Sequence, residues 1–331
     1  MINYPFVSFL IPVWNEEKNI KRCLDSLLNQ DYPKNKFEIL LADGNSSDNT
    51  VGIIKKFIQK NKNIKLLKNP RRNTAIGRNI CLREAKGEIV INYSGHVFAK
   101  NNLIRALALR LSQLKMEVGA VGCSNFSPHD QSFIGNSVGI IFRSIFGGVK
   151  SVDQNKRYNK EKYVKSVAFT AYRKELIEMI GGFDPKFWVG QDGELNLRLR
   201  KTGYKILYTP KTAVFHYKRN SIKKFFRQMY RYGIARLMVI KKHPDTFKIV
   251  YLLPSFFLIS IIIVLVLSFL KIIPFLFLLG GVILYSLVGI FFSSLVSKKI
   301  LPIIVSPFFY FLEHLSYGLG FLGGIFFKGF K

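Results

Sequence analysis

Short apolar runs alternate with helical stripes through the first ninety residues. Val7-Ser8-Phe9-Leu10-Ile11 is a compact apolar run stopped by Pro12. From Asn15 to Gln30, the residues Ile20, Cys23, Leu24, Leu27 and Leu28 recur at helical spacing and form one stripe. Phe37 to Ala42 is a second run, closed by Asp43-Gly44-Asn45-Ser46-Ser47. A helix is predicted from Asn49 to about Asn61 and a third strand over Ile64–Leu67. Another helix is predicted over Thr74–Lys86, ended by Gly87, and a fourth strand over Glu88–Tyr93. Alternation at this pace predicts an α/β fold, a parallel sheet with helices on both faces. Ligands of such sheets bind beyond the carboxyl ends of the strands. Chemistry is therefore expected at Pro12–Glu16, Asp43–Asp48 and Ser94–His96.

Farther along, residues 124–165 are rich in Gly, Ser and Asn and weakly patterned, which predicts a loop over the site. Ser166–Tyr172 is another strand-like run, and a turn from Phe183 leads to a helix over Glu194–Lys201. Ile222–Lys242 is a strongly basic helix with Phe225, Phe226, Met229, Ile234, Leu237 and Met238 at its apolar positions. Its pattern suits a membrane-surface helix and an ordinary packed helix alike. The uncharged segment that follows favours the membrane.

From Ile249 the chain is almost purely apolar. Ile249–Leu270 and Ile272–Phe292 carry no charge between their ends and are long enough to cross a bilayer's hydrocarbon core, about 30 Å thick. A third stretch, Ile300–Phe327, is broken by Pro302 and Pro307 and carries Glu313 and His314, so a kinked or re-entrant segment is as compatible as a span. The basic residues from Lys218 to Lys248, and Lys298-Lys299 after the second span, predict a multi-pass protein of the cell membrane with its N-terminal part in the cytoplasm. The expected organisation is a catalytic domain over 1–220, a basic interfacial helix over 221–247, and a transmembrane region of about three helices over 248–331.

Charge sharpens this division. Of 50 Lys and Arg and 20 Asp and Glu, 44 and 19 precede Lys248. Such an excess predicts an anionic partner: lipid, nucleic acid or a phosphorylated substrate. No zinc-finger or RNP-type pattern is present, so nucleic acid is not expected. Cys23, Cys81 and Cys123 are odd in number and widely spaced, which implies neither a disulfide framework nor a metal-ligand pair. Met1 to Ile11 lacks the basic start and long apolar core of a secretory leader, so none is expected there.

Asp43 ends a strand and precedes a Gly/Asn/Ser turn. A carboxylate there accepts hydrogen bonds from a nucleobase or ribose, or caps the next helix, and the local sequence leaves both open. The larger pattern is more specific. Val7 to Glu17, VSFLIPVWNEE, resembles the opening of the family 2 inverting glycosyltransferases. Leu41 to Thr50, LADGNSSDNT, resembles their nucleotide-binding turn. Asn69-Pro70, Ala75-Ile76-Gly77-Arg78-Asn79 and Ala85-Lys86-Gly87-Glu88 match the segments that lead to the family's metal motif. Phe183-Asp184 and Gln191-Asp192-Gly193-Glu194-Leu195 resemble its acceptor-side motif. The match runs in order over about 5–240 and is closest in character to the succinoglycan-type branch, which also has C-terminal spans.

The resemblance implies a GT-A fold and transfer of a sugar from a UDP-, GDP- or other nucleotide-diphosphate donor, with inversion. It implies donor contacts at Pro12, Val13, Asn15, Glu16, Asp43, Arg78 and Ser94. Inversion needs a carboxylate that deprotonates the attacking hydroxyl, and Asp192 is the expected base. Its other reading is a cap for the following helix. Gln191 and Glu194 are expected on the acceptor side. Family members hold a divalent ion, Mn²⁺ or Mg²⁺, on an Asp-x-Asp motif after the fourth strand. Here the sequence is Ser94-Gly95-His96. Either His96 and the phosphates hold a metal, or Lys and Arg replace it, or catalysis is impaired. Arg227-Gln228-Met229-Tyr230-Arg231-Tyr232 resembles the Gln-x-x-Arg-Trp motif of membrane synthases, with Gln228 and Arg231 on one helix face near the diphosphate. The implied partners are a nucleotide sugar, a polyprenyl-linked glycan acceptor and the bilayer. A degenerate, membrane-anchored nucleotide- or partner-binding protein is the alternative. A processive synthase is disfavoured, because about three spans are few for a translocation channel.

Overall fold

The computed structural model describes residues 3–148 and 159–326. The chain divides into two compact units. One comprises Met1–Pro128 with Val152–His216, the other His129–Ser151 with Tyr217–Lys331.

The first unit is built on a nine-stranded sheet. Its elements are β1 (Val7–Val13), α1 (Ile20–Leu28), β2 (Phe37–Asp43), α2 (Thr50–Lys60), β3 (Ile64–Lys68), α3 (Thr74–Glu84), β4 (Ile89–Asn92) and β5 (Val97–Ala99). A π-helical turn, Arg105–Leu109, runs into α4 (Arg110–Ser112), followed by β6 (Val118–Phe126). After the excursion into the second unit come β7 (Lys162–Tyr163), β8 (Thr170–Arg173), α6 (Lys174–Met179), α7 (Gln191–Lys201) and β9 (Lys205–His216). The order is β3-β2-β1-β4-β8-β6-β9-β5, with β7 also paired to β9.

β1, β2, β3 and β4 are parallel, as the alternation predicts. β8 then inserts antiparallel between β4 and β6, and β5 and β7 run antiparallel to β9. Hydrophobic period carries no direction, so this mixed half was not legible in advance. Phe9 and Ile11 pack with Ile20, Cys23 and Leu24 of α1 on one face. Leu10 and Leu40 pack with Ala75, Cys81 and Leu82 of α3, and with Leu195 and Leu199 of α7, on the other. Adjacent residues of a strand thus feed two cores. β1 lies between β2 and β4, which explains why its apolar run is continuous.

Backbone strain collects at one edge of this sheet. Asn15, Asn45, Arg72 and Phe169 have left-handed φ of 50 to 57°. The first three follow the carboxyl ends of β1, β2 and β3, and Phe169 precedes β8, whose start lies at the same edge because β8 is antiparallel to β4. Non-glycine residues in this region cost of order 1–3 kcal/mol each and cluster at functional sites.

The second unit holds α5 (Phe133–Arg143), α8 (Ile222–Lys242), α9 (Leu253–Phe269), α10 (Phe275–Ser294), α11 (Ile300–Ile304) and α12 (Ser306–Phe326). α5 lies inside the stretch expected to be loop. Ser132 caps it through the Gly135 amide, and its buried Val138, Ile141 and Phe142 pack with Phe225, Met229, Phe309 and Tyr310. Residues 149–158 of that stretch lie outside the described residues.

α8 spans the predicted residues. Its apolar face, Phe225, Met229 and Ile234, is buried, while Lys223, Lys224, Lys241 and Lys242 stay exposed. Glycines seat α12 on it: a Cβ at Gly320 would lie 2.0 Å from the Tyr230 carbonyl oxygen, and one at Gly233 2.3 Å from that of Tyr317. Two helices, Ile249–Phe269 and Phe275–Ser294, are long and apolar enough to cross a membrane, with mean hydropathies of 2.9 and 2.5 and mostly exposed side chains. The third apolar stretch divides into α11 and α12 at Val305, just before Pro307. α12 turns Glu313 inward, and His314 bridges the Tyr285 hydroxyl (2.9 Å) and the Phe146 carbonyl oxygen (3.0 Å).

Candidate active site

The register of the parallel strands brings Val13 beside Asp43 and Asp43 beside Lys68. The loops beyond them are laced together. The Asn15 amide donates to Ser46 Oγ (2.9 Å), the Ser47 amide to Asn15 Oδ1 (2.8 Å), and the Glu16 amide to Thr50 Oγ1 (2.7 Å). Glu17 accepts from the Asn49 amide at 3.0 Å. Asn15 thus holds the two loops in one arrangement, and Pro12 and Val13 are the strand residues that lead into it.

The open choice at Asp43 narrows. Its carboxylate accepts from the Ser46 hydroxyl (2.6 Å) and amide, while Asp48 accepts from the Thr50 amide (3.0 Å) at the start of α2. The helix start is served by Asp48, and Asp43 is half-buried beside the turn that follows β2.

After β4, Ser94-Gly95-His96 turns back toward the β1 loop. A Cβ on Gly95 would come within 2.8 Å of Val13 Cγ1, so glycine permits this approach. His96 Nδ1 and Glu16 Oε1 are 2.7 Å apart, and Glu16 Oε2 accepts from Asn19 Nδ2 at 3.0 Å. β5 pairs with β9 so that Val97 faces His216, and the rings of His96 and His216 lie 5.0 Å apart. His216 is a residue that sequence reasoning missed. A single histidine at a strand end, far from any motif, carries no signal until β9 is paired. Phe169 also escaped notice, and its ring stands 6.2 Å from that of His216.

No three His, Cys, Asp or Glu side chains among the described residues converge into a ready metal cage. The donor set is two imidazoles beside one carboxylate that is already hydrogen-bonded. Imidazole is a poor donor for hard Mg²⁺, so His96 and His216 by themselves offer an incomplete site that suits a softer divalent ion better.

Asp192 lies in the first turn of α7, half-exposed, with Oδ1 accepting from the Gly193 amide at 3.0 Å. Left-handed Gly190 (φ 74°) starts the helix. Gln191 and Glu194 are both buried. Glu194 is fully shielded, and both its oxygens engage Arg198 at 2.8–3.0 Å. Arg198 also donates to the carbonyls of Ile180 and Gly182. Asn79 of α3 clasps the Phe183 main chain, accepting from its amide (2.8 Å) and donating to its carbonyl (2.6 Å). The loop that presents Asp192 is thus fixed from both sides.

Arg78 points into this region. It is 6% exposed, its guanidinium lies 5.3 Å from the Phe183 ring, and Nε and Nη1 are buried without a hydrogen-bond partner. Burial lowers its proton affinity, and the Asp192 carboxylate opposes that effect. Gln228 and Arg231 belong to the second unit. Gln228 Nε2 donates to the Tyr232 hydroxyl at 3.0 Å. Burial, and then the like charges of Arg227 and Arg219, push Arg231 below the ordinary arginine value.

With this geometry in place, comparison with known proteins assigns the chain. The family model described as "Glycosyl transferase family 2" matches residues 8–181, and "Glycosyl transferase family group 2" matches 139–313. The chain belongs to glycosyltransferase family 2. It is 34% identical, over 78% of its length and 81% of the relative's, to a dolichyl N-acetyl-α-D-glucosaminyl phosphate 3-β-D-2,3-diacetamido-2,3-dideoxy-β-D-glucuronosyltransferase of Methanococcus voltae. It is 26% identical to the succinoglycan biosynthesis protein ExoA of Rhizobium meliloti, over 71% of this chain and 70% of that one. The fold matches a mannosyltransferase of Pyrobaculum calidifontis, solved with GDP-mannose and Mn²⁺, at a TM-score of 0.71 and 20% identity. That match covers 98% of this chain and 88% of the other. The family 2 transferase is thus an enzyme with a GT-A catalytic fold and two C-terminal helices apolar enough to cross a membrane.

Proposed function

We propose that this glycosyltransferase moves a sugar, with inversion, from a nucleotide-diphosphate donor to a lipid-linked glycan at the cytoplasmic face of the cell membrane. The observation that carries the reading is the placement of Asp192 in the first turn of α7, on a loop held rigid by Asn79 and Arg198. Asp192 takes the proton of the attacking acceptor hydroxyl. The oxygen closes on the anomeric carbon opposite the departing nucleoside diphosphate, which inverts that centre in one displacement.

Asp43 and the Asn15–Ser47 clasp receive the nucleoside, with Pro12, Val13 and Ser94 lining its path. His96 and His216 would hold a divalent ion, with Glu16 orienting His96. When bound, such an ion neutralises charge on the leaving diphosphate. In the second unit, Gln228 and Arg231 are the phosphate-binding candidates, and the exposed lysines of α8 suit an anionic lipid surface. The Methanococcus voltae relative acts on a dolichyl-phosphate-linked sugar and transfers a glucuronosyl group, which supports a polyprenyl-linked acceptor and brings acidic sugars into range.

Membranes carrying the protein, given labelled nucleotide sugars with and without Mn²⁺, test the reading. Transfer to lipid-extractable material is expected, and D192N should abolish it while donor binding persists. Full transfer by D192N removes Asp192 as the base. An N-terminal tag should be protected in sealed cells, and labelling from outside would sink the orientation.

A further inference from the structure

We infer that the first unit carries a second ligand site, at the edge of the sheet opposite the catalytic loops, and that it takes a nucleoside diphosphate or a similar ring-bearing polyphosphate. The inference goes beyond the transfer reaction and uses none of the residues assigned to it.

Strand direction separates the two sites. β9 runs parallel to β6, β6 is antiparallel to β8, and β8 is antiparallel to β4. β9 therefore starts at the edge from which β1 and β4 start, and it ends at the catalytic edge, where His216 meets His96. Its 12 residues, at about 3.3 Å each, put roughly 30 Å between Lys205 and His216. A cavity of about 360 Å³ opens at the starting edge, between β7, the last turn of α7 and the first residues of β9. Pockets for small ligands begin at about 300 Å³. Among the described residues that line it are three cations, Lys165, Arg200 and Lys205, two tyrosines, Tyr163 and Tyr204, and no acid.

Main-chain bonds fix this cavity. The Gly203 amide donates to the Arg200 carbonyl oxygen (3.0 Å), the Lys205 amide to that of Glu117 (2.7 Å), and the Val164 amide to that of Ile206 (2.9 Å). Left-handed Gly203 (φ 91°) makes the turn from α7 into β9. Tyr204 is seated on Gly119, where a Cβ would come within 3.2 Å of Tyr204 Cβ.

Arg200 is the group that calls for a ligand. Its Nε is buried with no hydrogen-bond partner, and a charged donor left unpaired in that state is costly. The C-terminal end of α7 carries a partial negative charge, but Arg200 and Lys201 in its last turn exceed it. Glu117 holds Lys205 Nζ at 3.2 Å from outside the lining, yet both side chains are about half exposed, so solvent screens that pair and a bound anion displaces it. Three cations against one carboxylate leave a surplus that matches the several charges of a diphosphate better than a single carboxylate. The Arg200 fork and the two lysine ammoniums suit phosphate oxygens. Lys205 Nζ stands 5.4 Å from the centre of the Tyr163 ring, so an aromatic face lies beside the charges. Tyr163 is 55% exposed, which leaves that ring open for a base to stack on.

The test is equilibrium dialysis of the full chain in neutral detergent, without divalent ions, against labelled UDP, GDP, CDP and ADP, with pyrophosphate as competitor. At least one nucleotide should bind at one more site per chain in wild type than in K165E, and R200M should lose the same site. Donor KM and kcat should stay within about threefold of wild type in both variants, because the catalytic edge is remote. Y163A should weaken that nucleotide about tenfold, the scale of one stacked base, and leave competition by pyrophosphate unchanged. Equal numbers of sites in wild type and K165E, whatever the number, overturn the inference. Lys165 is exposed, so K165E decides the matter even where R200M fails to fold. Pyrophosphate that binds the extra site as tightly as the nucleotide overturns the ring-bearing ligand. Loss of transfer in K165E alongside loss of binding also overturns the inference, because the lysine would then serve the reaction or the fold. A wild type without turnover that keeps the K165E-sensitive site sinks the transferase reading and leaves the inference standing.

Discussion

Replacing Arg198 by methionine removes the guanidinium that engages both oxygens of Glu194. Glu194 is fully buried and the Arg198 side chain only 17% exposed, so solvent cannot take over the lost bonds. Breaking one side of a buried ion pair costs about 3–5 kcal/mol, because a desolvated charge loses its compensation. The same substitution removes the hydrogen bonds to the Ile180 and Gly182 carbonyls. These add roughly 1 kcal/mol each at most. The expected loss is therefore about 5 kcal/mol, which in a domain of this size lowers the melting temperature by roughly 10–20 °C. Thermal unfolding of the detergent-solubilised full chain measures it, and Trp188, just before α7, reports locally through its fluorescence. The double variant R198M/E194L should recover at least half of the loss, since it removes the carboxylate along with its partner. A change below about 1 kcal/mol in R198M, or a double variant no better than the single, would refute the view that this pair holds the Asp192 loop.

Other perturbations probe other links. G87A places a methyl group 2.6 Å from the Ser8 amide nitrogen and 2.8 Å from the Phe6 carbonyl oxygen, so about 1–3 kcal/mol of destabilisation is expected in the same melt, and an unchanged melt refutes the close approach. D43A should raise the donor KM by roughly tenfold or more while leaving kcat within a few-fold, as the loss of a charge-assisted hydrogen bond predicts. An unmoved KM would exclude Asp43 from the donor site. After chelation, Mn²⁺ should restore transfer better than Mg²⁺, and H216A should abolish that difference; equal rescue by both ions in the wild type argues against the imidazole pair. Burial pushes the Cys81 thiol up to about 12, and all three cysteines are buried, so alkylation at pH 8 should stay slow until the protein unfolds. Rapid modification of the native protein contradicts that burial.

The sequence by itself determined the local elements and the two ends of the architecture. Val7–Ile11, Phe37–Ala42 and the stripe through Ile20, Cys23 and Leu24 specify strands and a helix because burial on a pleat and on a helix impose different periods. The apolar text of Ile249–Leu270 specifies a membrane-compatible helix through length and absence of charge alone. Asp43, Asp192 and His96 stood out in the sequence through the family motifs that contain them, and the structure places Asp43 at a strand end, Asp192 in a first helical turn and His96 just after β4. What the sequence could not supply was every feature that depends on which distant segments meet. The antiparallel insertion of β8 and the β5–β9 pairing bring His216 to His96 across 120 residues, and no local pattern encodes that contact. The helix hidden in the glycine-rich stretch became recognisable only when α12 gave its apolar face a partner. Arg78 is the sharpest case. Its sequence context suggests a phosphate contact, but burial against Phe183 and beside Asp192 is a property of the packed chain, and only that packing leaves Nε and Nη1 of a buried guanidinium without a hydrogen-bond partner.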